Sequence, residues 1–144
     1  METITQNALK QRIGPILKPF WSNELRTYAG FADQAYCCPD INEVELILKG
    51  MSLPSPQGEI YDCDDFAYEL KAYGSRYARL SNKYTNSIAM GIAWGRFSWI
   101  NDGQLDHSCN WVFDSNYTFY WIEPQNKHLY AIEHCKGRLN LILV

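Results

Sequence analysis

The most informative segment of the sequence is residues 57–67, Gln57-Gly58-Glu59-Ile60-Tyr61-Asp62-Cys63-Asp64-Asp65-Phe66-Ala67. Apolar residues continue from it at steps of three or four as far as Leu80, which predicts an amphipathic helix over residues 63–80. Asp62 is a suitable N-cap for this helix. Cys63 would therefore lie in the first turn, where free backbone N–H groups and the helix dipole favour a thiolate over a thiol.

A cysteine nucleophile needs a base and a residue that orients the base. His107 and Glu123 are the candidates, and each lies in a segment with the character of a β-strand. If residues 114–116 form a three-residue turn, Phe113 pairs with Tyr117 and His107 lies directly opposite Glu123. The sequence therefore predicts a Cys63-His107-Glu123 triad, whereas a two-residue turn would move Glu123 to the opposite face.

The order of the remaining elements predicts an α+β fold. A second helical pattern runs from Asp40 to Gly50, and residues 1–30 are either irregular or a short helix. After residue 86 the sequence reads as successive strands, so helices precede an antiparallel sheet. With 144 residues and no repeat or linker, the chain is expected to form a single domain over residues 1–144.

Composition restricts the class of protein. The chain is 47% hydrophobic and 20% charged, which is typical of a globular protein and excludes a disordered one. A net charge of −3 argues against binding nucleic acid through bulk charge, and no apolar run is long enough to span a membrane. No secretory signal is visible, and five cysteines cannot form a complete set of disulfides. We therefore expect a cytoplasmic protein that binds neither nucleic acid nor membranes.

Three short motifs occur in the order found in one known family. They are Asp62-Cys63-Asp64-Asp65-Phe66-Ala67, His107 with Asn110-Trp111, and Ile122-Glu123-Pro124-Gln125. Together they resemble the papain-like C-terminal domain of the fairy-ring mushroom agglutinin and related small bacterial and phage proteins. The first motif is also similar to bacterial transglutaminase-like cysteine proteinases. The resemblance covers residues 57–126.

The resemblance implies a papain-like fold, in which a helix carrying the nucleophile at its N-terminus packs on an antiparallel sheet. It also implies a calcium-dependent cysteine peptidase with Cys63, His107 and Glu123 as its triad. Gln57 lies six positions before Cys63 and matches the residue that completes the oxyanion hole in papain-like enzymes. We therefore expect a cysteine hydrolase that cleaves a peptide or isopeptide bond in a peptide or protein substrate.

The acidic residues around Cys63 suggest a metal ion. Asp62, Asp64 and Asp65 place three negative charges near the thiol, and charge of the same sign disfavours its ionisation. A bound cation would reverse this effect, and clustered carboxylates are suitable ligands for Ca²⁺. The sequence therefore predicts Ca²⁺ at these three residues, with Mn²⁺ as a substitute. Alternatively, Asp62 is only the N-cap of the helix, and Asp64 and Asp65 are ordinary residues of its first turn.

Other functions remain open at this level. Cys63 also fits a buried helical stripe, in which a free cysteine acts as a small apolar residue. The main functional alternative is a non-catalytic binding protein on the same fold. Such a protein could be a phage inhibitor in the host cytoplasm that sequesters a small signalling molecule or blocks a host defence protein. A third possibility is a cell-wall amidase, because those enzymes also use Cys-His pairs.

Overall fold

The computed structural model describes residues 2–21 and 28–144; residue 1 and residues 22–27 of the polar N-terminal segment lie outside the described part. The described part contains three helices, namely α1 (Gln6–Leu17), α2 (Ile41–Gly50) and α3 (Cys63–Ser81). It also contains nine strands, namely β1 (Glu2–Thr5), β2 (Tyr28–Gly30), β3 (Ala35–Cys38), β4 (Ser87–Ile88), β5 (Met90–Phe97), β6 (His107–Phe113), β7 (Phe119–Glu123), β8 (His128–Ala131) and β9 (Gly137–Leu143).

Side-chain caps explain where the two predicted helices begin. The Asp40 carboxylate accepts a hydrogen bond from the Asn42 N–H at the start of α2. Asp62 accepts one from the Asp64 N–H at the start of α3, and the Asp65 carboxylate accepts one from the Asp62 N–H. These bonds satisfy backbone donors that have no partner inside a helix. The predicted helices at 41–50 and 63–80 are therefore confirmed.

The strands form two sheets. Six of them lie in the order β2-β9-β5-β6-β7-β8, and three in the order β1-β3-β4. Most neighbouring strands are antiparallel, but β2 pairs parallel with β9 and β3 pairs parallel with β4. Each sheet thus joins segments that are far apart in sequence, as in the pair Ala29 and Ile142.

The six-stranded sheet is covered on both faces. On one face, Leu9 and Ile13 of α1 belong to a buried cluster with Trp111 and Trp121. On the other, side chains of α2 and α3 pack with alternate residues of the same strands in a second cluster that includes Ile47, Leu70, Val112 and Ile122. No helix in the described part of the chain is long and apolar enough to cross a bilayer.

The predicted papain-like α+β arrangement is wrong. Strands outnumber helices throughout, and three strands lie in the first 38 residues, ahead of α2. Strands β1 to β3 contain only three or four residues each, which is too short for alternation of polar and apolar residues to be recognised. Each pairs with a strand that is distant in the sequence, so these strands could not be predicted from the local sequence pattern.

The hairpin between β6 and β7 differs from the predicted one in register. Phe113 pairs with Phe119, and the loop between them has five residues, 114–118, instead of three. The buried Asp114 carboxylate organises this loop by accepting hydrogen bonds from the backbone N–H groups of Asn116 and Thr118. Continuing the register places Glu123 opposite Cys109 and not opposite His107.

Candidate functional site

His107 and Glu123 form a buried pair at one end of the large sheet. The Nε2 atom of His107 lies 2.6 Å from Oε2 of Glu123, and the two residues are 7% and 2% exposed. The second carboxylate oxygen, Oε1, accepts a hydrogen bond from the Gln125 N–H. Both oxygens of Glu123 are therefore engaged, as a carboxylate removed from water requires.

Cys63 completes the group from the N-terminus of α3. Its side chain lies close enough to His107 to raise the pKa of the imidazole. Because Nε2 of His107 faces Glu123, Nδ1 is the ring nitrogen that remains for the sulfur. Cys63 is only partly buried, so the sulfur lies where the buried pair meets the protein surface. The structure thus brings together three of the four residues that the sequence proposed as catalytic.

Asn110 holds α3 in the position that this contact requires. Its buried side-chain amide donates hydrogen bonds to the backbone carbonyls of Ala67 in α3 (2.9 Å) and Gly91 in β5 (3.1 Å). The first turns of α3, and Cys63 with them, are thereby fixed against the sheet. Sequence reasoning missed this positioning role. The available signal was an amide within an apolar strand, because a buried amide needs partners.

The surroundings of His107 favour its protonated form. Burial by itself lowers the pKa of the imidazole, but hydrogen bonds with Cys63 and Glu123, together with their negative charges, raise it to about 9. At neutral pH the ring therefore carries a proton and a positive charge beside the Cys63 sulfur. This is the arrangement in which a sulfur and an imidazole can share one proton.

Tyr61 braces the loop that leads to Cys63. Its hydroxyl donates a hydrogen bond to the Glu69 carboxylate, and its ring packs edge-on against Phe66 with 4.5 Å between ring centroids. Burial, followed by the bond with Glu69, raises the pKa of Tyr61 to about 12, so the hydroxyl stays protonated and remains a donor. Both partners belong to α3, and the loop is thus attached to the helix that it precedes.

Gln57 is separate from this group. It is exposed, and its backbone bonds to Tyr61 and Ile60 in the loop before α3. In the described part of the chain no hydrogen bond joins its side chain to Cys63, His107 or Glu123. Gly58, which follows it, adopts a positive φ of 53°, a conformation that glycine takes readily.

The three acidic residues near Cys63 have different positions in the structure: two lie beside the thiol and one belongs to the helix cap. Ligand atoms of Asp62, Cys63 and Asp64 all lie within 4.8 Å of one another, which suits a single cation. The hydrogen bond with Asp62, burial, and the charge of Asp62 raise the pKa of Asp64. Asp65 does not belong to this group and uses its carboxylate in the helix cap. Two of the three predicted metal ligands thus lie together with the thiol.

Among the described residues, no hydrogen bond joins any of the other four cysteines to a histidine. Burial raises the pKa of Cys38 to about 12 and that of Cys135 to about 11, and it also raises the pKa of Cys109. Burial raises the pKa of Cys37, but hydrogen bonds, including those with the Thr3 and Thr85 hydroxyls, outweigh it and lower the pKa of this thiol, which is only 1% exposed. All five thiols are free. Cys63 therefore differs from the others by its histidine partner.

Comparison with known proteins identifies the fold. No family model and no curated protein matches the sequence. A solved structure described as a PSL1a–E64 complex matches with a TM-score of 0.78 and 19% identity, covering 99% of this chain and 50% of that one. A structure of Polyporus squamosus lectin bound to the human-type influenza-binding epitope Neu5Aca2-6Galb1-4GlcNAc matches with a TM-score of 0.71 and 19% identity, covering 99% and 49%.

These matches correct the family prediction. The matched structures are of a lectin and not of a papain-like peptidase, so the predicted family is wrong. The predicted hydrolase of peptide or isopeptide bonds is also wrong, and so is the phage-inhibitor alternative. The function named for a matched structure is glycan binding. At 19% identity the likeness concerns the fold, and this chain spans about half the length of the structures it matches. The chain thus has the fold found over half of Polyporus squamosus lectin.

Proposed function

We propose that Cys63, His107 and Glu123 form a reactive-thiol site, at which the Cys63 sulfur bonds covalently to an electrophilic carbon of a small-molecule ligand. The observation that carries the proposal is the central position of His107. Its ring lies beside Cys63, whose side chain raises the imidazole pKa, and Nε2 lies 2.6 Å from the buried Glu123 carboxylate. A pKa of about 9 leaves the ring protonated at neutral pH, and its positive charge would stabilise a thiolate at Cys63.

The proposed step is an addition. The Cys63 thiolate donates an electron pair to the ligand carbon, and a carbon–sulfur bond forms. A carbon–oxygen π bond of a carbonyl, or a carbon–oxygen single bond of a strained cyclic ether, breaks toward oxygen. The His107 imidazolium gives its proton to that oxygen and becomes neutral. Glu123 keeps the ring oriented throughout, and the step ends at the adduct with no water consumed.

Alkylation by iodoacetamide at neutral pH, followed by peptide mass spectrometry, tests this proposal. Cys63 is expected to react about tenfold faster or more than Cys135, which is also partly buried but whose thiol bonds to the Ala131 carbonyl and to no histidine within residues 2–21 and 28–144. The His107→Gln variant should lose the difference, and the Glu45→Gln variant, which changes an exposed carboxylate in α2, should keep it. Equal rates at Cys63 and Cys135 in the wild-type protein would overturn the proposal. Because E64 occurs in one matched complex, it is a suitable second probe for the same measurement.

A second candidate function is glycan binding. It is favoured by the match of nearly the whole chain to Polyporus squamosus lectin, described in complex with Neu5Aca2-6Galb1-4GlcNAc. Isothermal titration of this chain with that trisaccharide tests it, with lactose as a neutral control. Saturable heat that is absent with lactose supports binding. Absence of heat at millimolar trisaccharide contradicts it, and the thiol site is unaffected by either outcome.

Calcium at Asp62 and Asp64 remains a proposal, with Mn²⁺ as its substitute. Their carboxylates and the Cys63 thiol come close enough to share one ion, and oxygen donors suit both cations. When bound, the cation would supply positive charge beside the sulfur. Cytoplasmic location is also a proposal, and it is supported by the five free thiols, since a reducing compartment preserves them.

A further inference from the structure

The turn that follows Glu123 contains a lysine in an unusual backbone conformation. Residues 124–127 join β7 to β8, and the Lys127 N–H closes the turn by donating to the Pro124 carbonyl at 3.3 Å. Lys127 has a φ of 58°, in the left-handed region that glycine and asparagine adopt more readily. A lysine there is strained, and such strain persists only where surrounding contacts fix the residue.

The side chain of Lys127 makes a contact of this kind. Its ammonium group donates a hydrogen bond to the backbone carbonyl of Met51, the residue that caps the C-terminus of α2. Carbonyls at this end of a helix lack partners within it and carry the negative end of its dipole, so a cation is favoured there. Met51 is 2% exposed and packs with residues of α2 and α3, which fixes its position. The bond therefore ties the turn to the protein core.

The same turn holds the Glu123 carboxylate. The backbone N–H of Gln125, two residues before Lys127, donates to Oε1 of Glu123 at 3.2 Å. The other oxygen, Oε2, lies 2.6 Å from Nε2 of His107. Because the Gln125 N–H belongs to the turn, its direction depends on the contacts that fix the turn. A continuous series of contacts thus leads from the core at Met51, through the turn, to His107.

We propose that Lys127 is a positioning residue for the buried pair of His107 and Glu123. By fixing the turn, it keeps the Gln125 N–H directed at the carboxylate and the carboxylate directed at the imidazole ring. Its importance for the reactivity of Cys63 rests on the proposed function. Its support of the buried pair does not, and is measured in the protein without any ligand.

NMR spectroscopy of the full, ¹⁵N-labelled chain tests the positioning role. In the wild type, the Nε2 proton of His107 is expected at lower field than ordinary amide protons, because it lies in a short hydrogen bond with a carboxylate. Lys127→Met keeps the length of the side chain without its donor, and this resonance should then move upfield or be lost to exchange with water. The Gln125 amide should exchange about fivefold faster or more, the effect of weakening one hydrogen bond.

Three further variants supply the controls. Lys127→Arg keeps a donor for the Met51 carbonyl and should retain the wild-type resonance. Lys127→Gly relieves the strain of the positive φ but also removes the bond to Met51, so it should behave as Lys127→Met does. Lys49→Met removes an exposed lysine from the last turn of α2, where it pairs with Glu45, and should leave the resonance unchanged.

Wild-type exchange of the Gln125 amide in Lys127→Met and Lys127→Gly would overturn the proposal, and so would a His107 resonance that is unchanged in both. Loss of the resonance in Lys127→Arg, to the same extent as in Lys127→Met, would also overturn it. If Lys127→Met does not fold, Lys127→Gly makes the same comparison, because glycine suits the turn.

Iodoacetamide kinetics in the same variants separate this proposal from the proposed function. Alkylation of Cys63 is expected to slow about threefold or more in Lys127→Met, since the imidazole beside the sulfur is less well oriented. Preferential alkylation of Cys63 that is equal in wild type and Lys127→Met would contradict the positioning role alone. Absence of any preference for Cys63 in the wild type would contradict the proposed function, and the NMR comparison then decides the role of Lys127 by itself.

Discussion

His107 and Glu123 are bonded across the hairpin although neither is the other's register partner. The register of β6 and β7 places Glu123 opposite Cys109, two residues beyond His107 on the same face of the strand. The contact is therefore diagonal, and the reach of the two side chains brings Nε2 and Oε2 to 2.6 Å. A loop longer than predicted by two residues preserved the face on which Glu123 lies, because side chains alternate with a period of two.

The Glu123→Gln variant should lower the pKa of His107 from about 9 toward its ordinary value of 6.5, because it removes the negative charge beside Nε2. An NMR titration of the His107 ring protons measures this directly. Glu133→Gln changes an exposed carboxylate elsewhere and should leave the His107 titration in place. An unchanged pKa in Glu123→Gln would mean that Glu123 does not hold the proton on His107.

The stability of the protein should depend on pH through His107. Its pKa is raised in the folded state, so its contribution is fully present below about pH 6.5, declines as pH rises, and is lost as pH passes through about 9. The free energy of unfolding is expected to fall by up to about 3 kcal/mol over this interval. Urea unfolding at pH 6 and pH 9.5 measures the change. The His107→Gln variant should show a smaller decline, and equal declines in both proteins would exclude this group as the cause.

The Asn110→Ala variant should both destabilise the protein and slow alkylation of Cys63. It leaves the buried carbonyls of Ala67 and Gly91 without their amide donor, at a cost of about 2–4 kcal/mol. It also releases the attachment of α3 to the sheet, so Cys63 loses its fixed position beside His107. Urea unfolding and iodoacetamide kinetics measure the two effects. In the exposed-loop control Asn126→Ala, alkylation should proceed at the wild-type rate. Wild-type alkylation in Asn110→Ala would show that the amide has no positioning role.

The Gly91→Ala variant should be severely destabilised. A Cβ atom at this position would lie 1.8 Å from the Leu143 carbonyl oxygen and 2.6 Å from Nε1 of Trp111. Those two atoms are themselves hydrogen-bonded at 3.0 Å, so neither can move without losing the other. The expected loss is about 3 kcal/mol or more. Ser75→Ala is the control, because that side chain is exposed on α3 and alanine favours a helix. Thermal unfolding of the two variants makes the comparison, and similar melting temperatures would contradict it.

Calcium should bind more weakly to the Asp64→Asn variant than to the wild type, since one of the two adjacent carboxylates is removed. Isothermal titration with CaCl₂ and with MnCl₂ measures this. Glu45→Gln removes an exposed carboxylate from α2 and serves as the control for general charge. Identical isotherms for wild type, Asp64→Asn and Glu45→Gln would remove the case for a site at Asp62 and Asp64.

The sequence predicted local features better than long-range ones. Helices α2 and α3 were located by apolar periodicity and by the caps Asp40 and Asp62, which act within a few residues. The pairing of β2 with β9 and of β1 with β3 depends on segments distant in the chain, and no local pattern encodes it. The register of β6 and β7 was predicted wrongly, because the hydrogen bonds of Asp114 extend the loop to five residues.

In the candidate site too, residues with local signals were predicted and residues that depend on long-range packing were not. Cys63 was found from its position at a helix N-terminus, and Glu123 from its expected place opposite His107 in the β6–β7 hairpin. Asn110 was missed as a positioning residue, because its partners are backbone carbonyls whose location depends on the packing of α3.

The central place of β9 has a consequence for the order of folding. Strand β9 lies between β2 and β5, so the six-stranded sheet has no continuous hydrogen-bonded path from β2 to the rest until residues 137–143 are available. On a ribosome, β2 must therefore wait unpaired while more than a hundred later residues are synthesised. Folding dominated by such distant pairings is slow, and the exposed edges of waiting strands invite association with other chains. We therefore expect nascent chains of this protein to need chaperones that cover the unpaired β2 until β9 has left the exit tunnel.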